Sequence, residues 1–128
     1  MKLRTDFVTN SSSSSFVIAR HKDYTLEEAR ATASRLRKEI KQKLNEWPHW
    51  DFNDPRIEAE AKTNIEKAAD LAIEEIANDL FAYRSNSHLK IGKWEVYADE
   101  FSNETDNFFE YLMYDMGGDM GSEHLRIG

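Results

Sequence analysis

Seven apolar residues recur between positions 26 and 47 at steps of three and four: Leu26, Ala29, Ala33, Leu36, Ile40, Leu44 and Trp47. Only a helix gathers such positions on one side, so the segment must fold as an amphipathic helix whose stripe is buried. Thr25-Leu26-Glu27-Glu28 supplies a capping box at its start, and Pro48 stops it. A second stripe follows Asp54-Pro55, a good N-cap and first-turn pair. Ile57, Ala61, Ile65, Ala68, Ala69, Ala72, Ile76, Leu80 and Tyr83 face one way, and the alanines admit a close neighbour. Two long helices joined by the short loop 48–53 predict an antiparallel helical hairpin.

Around this hairpin the pattern changes from helix to strand. Phe16-Val17-Ile18-Ala19 reads as a strand. His88–Ile91, Gly92-Lys93 and Trp94–Ala98 read as a β-hairpin. Trp94, Val96 and Ala98 alternate with Glu95, Tyr97 and Asp99, which predicts that the first set is buried. A short helix over about 105–116 is apolar nearly all round, and Gly117-Gly118 ends it. His124-Leu125-Arg126-Ile127 predicts a last strand. That strand repeats the His-Leu-base-Ile-Gly of His88–Gly92, so both are expected to turn Leu and Ile inward and the base outward. If the two echo strands pair, His88 and His124 meet. The expected fold is α+β: a small antiparallel sheet of three to four strands packed against the long helical hairpin, plus the short third helix. Residues 1–15 are expected to be a flexible, polar, serine-rich leader, and 16–128 a single α+β domain.

Composition removes several classes of function. There is no cysteine among the 128 residues, which excludes disulfides, thiolate metal sites and cysteine nucleophiles. No apolar run approaches the roughly 20 residues that span a bilayer, and Met1–Asp6 has no signal-like apolar core, so the expected compartment is the cytoplasm. The net charge is −7, and it is concentrated: residues 95–128 carry nine acids against one base, Arg126. Such a surface repels a phosphate backbone, so nucleic acid is not an expected partner, and the lack of a spanning apolar run removes a membrane. The nucleophile elbow, the dinucleotide-binding glycines, the P-loop and helical His spacings for zinc are all missing. No catalytic residue and no cofactor is predicted.

The head of the chain reads Phe7-Val8-Thr9-Asn10-Ser11-Ser12-Ser13-Ser14-Ser15-Phe16 and runs into Val17-Ile18. It resembles a signature at the start of uncharacterised bacterial and phage proteins, Phe-Val-(Ser or Thr)-Asn, a run of serines, then Phe. No activity is assigned to that group, so the resemblance implies a portable tag and carries over no catalytic residue. Adjacent hydroxyls offer sites for phosphorylation, glycosylation or acylation, and serine and backbone N–H groups can cradle an anion.

Three further places carry candidate chemistry. Trp47, His49, Trp50, Asp51 and Phe52 crowd the inter-helix loop and suit a small ligand pocket with an acid–base pair. The competing reading is an aromatic plug at the end of the hairpin, with Asp54 used as a cap. Asp115, Asp119, Glu123 and His124 lie in a glycine-rich stretch and form a weak metal candidate that fails the EF-hand pattern. Phe108, Phe109, Leu112, Met113 and Met116 would serve a homodimer contact. The leading reading is an interaction or substrate protein whose serine tag a protein partner recognises or modifies. The alternatives are a ligand-binding module or enzyme using loop 47–54 or the His88/His124 region, and an acidic decoy that imitates DNA.

Overall fold

The computed structural model describes residues 13–47 and 49–128. Phe7, Val8, Thr9, Asn10, Ser11 and Ser12 of the serine signature lie outside the described residues, as does Pro48. Among the described residues the chain forms five α-helices and a four-stranded antiparallel sheet, the α+β class expected. It divides into two compact units: residues 24–83, and the described parts of 1–23 with 84–128.

The helical unit buries the middle of each predicted stripe but breaks each helix, and the ends depart from the expectation: Trp47 is exposed, and Leu26, Ala61, Ile65 and Tyr83 are only half-buried. The first segment is α1 (Leu26–Arg35) and α2 (Arg37–Glu46). Thr25 caps α1 by accepting from the Glu28 N–H at 3.1 Å, as the capping box predicts. At Leu36 the backbone N–H bonds three residues back to Ala33, a tight turn that ends α1, and Leu36 itself stays buried. The second segment is α3 (Arg56–Ala61) and α4 (Ile65–Ala82). Asn64 caps α4 through the Lys67 N–H, so the continuous helix expected from 54 to 83 is interrupted at 62–64. Pro55 rather than Asp54 holds the cap position of α3; the Asp54 carboxylate accepts from the Arg56 N–H.

Arg30 bonds Glu74, Arg37 bonds Asp70 and Glu66, and Lys41 bonds Glu66. As the first partner advances the second retreats, so α1–α2 run antiparallel to α4. Between them lie Ala29, Ala33, Ile40, Leu44, Ala68, Ala72, Ile76 and Leu80, all buried. Two bases of α2, Arg37 and Lys41, thus tie it to α4.

The sheet unit comprises β1 (Ser13–His21), β2 (Ser87–Ile91), β3 (Trp94–Ser102) and β4 (Leu125–Ile127), in the order β2-β3-β1-β4. Strand β1 starts three residues before the apolar run, so Ser13, Ser14 and Ser15 belong to the sheet rather than to a leader. Helix α5 (Phe108–Met116) is capped by Asn107, and a 3₁₀ turn over Gly117–Met120 follows it. Tyr114 of α5 meets Phe101 of β3 edge-on, and Gly117 lies close to Ile127 of β4. One sheet face is thus covered, and it holds Phe16, Ile18, Tyr97, Phe101 and Leu125.

This reverses the expected orientation of β3. Tyr97 is buried, whereas Trp94, Val96 and Ala98 are only half-buried on the opposite face. The dimer expectation also changes. Phe108, Phe109, Leu112 and Met113 are buried within the chain and Met116 is half-buried, so helix α5 has little apolar surface left for a second copy. No helix among the described residues is long and apolar enough to cross a membrane.

Candidate functional site

In a strand, alternate residues share a face. Ser13, Ser15, Val17, Ala19 and His21 therefore lie on one side of β1. The register places them opposite Ser102, Glu100, Ala98, Val96 and Trp94 of β3. Continuing outward, Ser87, Leu89 and Ile91 pair with Ala98, Val96 and Trp94, and Arg126 pairs with Ala19. This is the open face of the sheet. Leu89 is 58% exposed, Ile91 57% and Val17 39%. A contiguous apolar patch left in water marks a surface with something to cover it more often than does a lone exposed Leu.

The patch has two different ends. At one end are the exposed hydroxyls of Ser13 and Ser15 with Glu100, to which Ser13 Oγ donates at 3.4 Å. Beside Ser15 opens a polar recess of about 550 Å³, lined among others by Arg84, Asn86, Ser87, Asp99 and Glu100. Ser85 Oγ–H lies at 2.8 Å from the Ala98 carbonyl and 3.0 Å from that of Ser87, holding the entry to β2 against β3. At the other end His21 and His124 lie ring to ring at 4.9 Å. Trp94 stands edge-on to His21 at 5.1 Å, and the Arg126 guanidinium lies over Trp94.

The covered face has its own cluster. The His88 ring stacks on Tyr97 at 4.6 Å, and the Arg20 and Arg84 guanidinium groups lie over the same ring. Partial burial works to raise the Glu95 carboxyl, but hydrogen bonds from His88 (3.2 Å) and Tyr97 (3.3 Å) outweigh it and hold the group below its usual range.

The sequence candidates distribute as follows. Trp50 is buried and its Nε1–H donates to the Lys43 carbonyl at 3.0 Å, which is the plug reading. Trp47 and His49 are exposed and meet edge-on at 5.6 Å; Asp51 is exposed and Phe52 half-buried. None of these five lines the recess of about 430 Å³ that opens next to them. That recess is lined by Asp54, Arg56, Glu75 and Asp79 among others. There Glu75 accepts from the Asn53 and Asp54 N–H groups, both at 2.9 Å. Burial pushes the Asp79 carboxyl up to about 6, helped by the charge of Glu75. His88 and His124 do not meet, because β2 and β4 are opposite edges with β3 and β1 between them. Among the described residues the one cluster of three metal-ligating side chains is His21, Asp23 and His124. It keeps His124 from the predicted set and leaves out Asp115, Asp119 and Glu123. Strand pairing, not local spacing, brings His21 and Asp23 to His124, so no sequence motif marks them.

No family model, curated protein or solved structure matches the chain.

Proposed function

We propose that the protein is an interaction protein whose serine-bearing strand is presented to a partner protein that docks on the open face of the sheet. The observation that carries this reading is that Ser13 and Ser15 share a face with the exposed Val17, Leu89 and Ile91. A partner that covers the apolar patch is thereby brought to the hydroxyls, and affinity and recognition come from one surface. Burying apolar side chains supplies the non-directional part of the binding free energy. Glu100, opposite Ser15 at the serine end, selects a partner whose apolar contact is bordered by Lys or Arg. The signature Phe7–Phe16 leads directly into this strand, which fits a tag that is recognised or modified where it enters the sheet.

The test places a photo-crosslinking residue at Ser15 in one variant and at Leu89 in another, each expressed in the native host. The expected result is one and the same partner attached at both positions, lost when Ile91→Asp is added and weakened by high salt during capture. Different products from the two positions, or attachment only to a second copy of the chain, would overturn the reading. The intact mass of the captured chain then separates recognition from covalent modification of the head.

A further inference from the structure

We infer that His21, Asp23 and His124 form a site for a divalent transition-metal ion of the zinc type, at the opposite end of the open face from the serines. The three side chains come from the end of β1, the turn after it and the residue before β4. Their ligand atoms all lie within 4.8 Å of one another. The sheet itself sets the pair of imidazoles: the His21 N–H donates to the His124 carbonyl at 2.9 Å, and the Lys22 N–H to the Lys93 carbonyl at 2.8 Å. Two imidazole rings are thus held side by side, 4.9 Å apart, by backbone bonds that neither ring controls.

Asp23 completes the set. Its own N–H donates to His21 Nδ1 at 3.0 Å, and its carboxylate Oδ2 lies 3.7 Å from the same nitrogen. In the neutral ring this keeps the Nδ1 lone pair on the side where the carboxylate is. A metal taking that nitrogen exchanges one neutral hydrogen bond for a coordinate bond. Zinc bonds of about 2.0–2.2 Å require donor atoms roughly 3.3 Å apart in a tetrahedron, so the widest separation must shrink by about an ångström or more. Asp23 is exposed on a turn and can supply that movement by changing rotamer.

The donor set decides the class of ion. Two imidazoles and one carboxylate suit zinc, nickel or copper, whereas calcium and magnesium take oxygen ligands. Three protein ligands leave at least one position for water or for a group from outside.

The experiment titrates the metal-free full chain with zinc chloride by calorimetry, and with cobalt(II) by visible absorption. One ion per chain is expected. His21→Ala and His124→Ala should each weaken binding about tenfold or more, Asp23→Asn less, and His49→Ala and His88→Ala not at all. Because His21 lies in a strand, imidazole NMR signals of the unmodified protein provide a readout that needs no variant. Zinc should shift those of His21 and His124 and leave those of His49 and His88. No binding at about 100 µM zinc, or binding that moves all four histidines alike, overturns the site.

Discussion

The two edge strands carry the same His-Leu-base-Ile-Gly pattern and meet opposite fates. In His124-Leu125-Arg126-Ile127-Gly128, Leu125 is fully buried and Arg126 is exposed. In His88-Leu89-Lys90-Ile91-Gly92, Leu89 and Ile91 are more than half exposed. The difference lies in register. Leu125 pairs with Arg20, whose side of β1 is covered, whereas Leu89 pairs with Val96, whose side of β3 is open. With a period of two, a shift of one position moves every side chain to the other face. Alternation in a sequence therefore says which residues share a face and is silent on which face is covered. The histidines follow the same rule: His88 is spent on Tyr97 and Glu95 on the covered side, while His124 joins His21.

The sharpest way to break this comparison is to truncate both leucines. Leu125→Ala should cost about 2–4 kcal/mol in urea unfolding, the usual loss for a fully buried leucine. Leu89→Ala should fall within about 0.5 kcal/mol of the parent, because the side chain has little packing to lose. Equal costs would mean that the two edges are equally covered and that no open face exists.

The same logic explains what was legible from the residues alone. The helix stripe was readable because Leu36, Ile40 and Leu44 are buried wherever a helix of that period packs. The breaks at Leu36 and at 62–64 were not, since each keeps the stripe on α4 while interrupting the backbone bonds. Asn64 did offer a cap signal there. The face of β3 was ambiguous because both alternating sets contain large apolar rings: Trp94 on one side, Tyr97 and Phe101 on the other. The decision came from α5, whose Tyr114 lies against Phe101. The His21–Asp23–His124 cluster had no local spacing to betray it, because it exists only once β1 pairs with β4.

The helical unit supplies the converse of an exposed leucine, a carboxyl where water is scarce. Asp79 is raised from 3.8 to about 6 by burial and by Glu75. The folded chain therefore holds this proton more tightly than the unfolded one. Stability contributed by the group is complete below about pH 4 and is lost as pH rises through about 6. Asp79→Asn removes the penalty, so it should stabilise the chain at pH 7 by about 1–2 kcal/mol after allowance for solvent screening. The gain should vanish below about pH 4, where the parent carboxyl is already neutral in both states. Urea midpoints at pH 4 and pH 7 decide it; a gain independent of pH would point to packing instead of charge.

The last residue of the repeated pattern offers the finest contrast. Gly92 sits at φ +59 in the two-residue turn between β2 and β3, in the left-handed region where a Cβ clashes with its own backbone. Nothing lies within 4 Å of an added Cβ, so any cost there is conformational and not a matter of space. Gly92→Ala should lower stability by about 1 kcal/mol, and Gly92→Asn by less, since Asn tolerates this region. Gly128 ends the second copy of the pattern without that constraint: its φ is outside the left-handed region and its surroundings are open. Gly128→Ala should therefore be neutral within about 0.5 kcal/mol. If Ala and Asn at position 92 are as harmless as Ala at 128, the turn has another conformation in solution. The register that turns Leu89 and Ile91 onto the open face would then lose its anchor, because a hairpin's register is set by its turn.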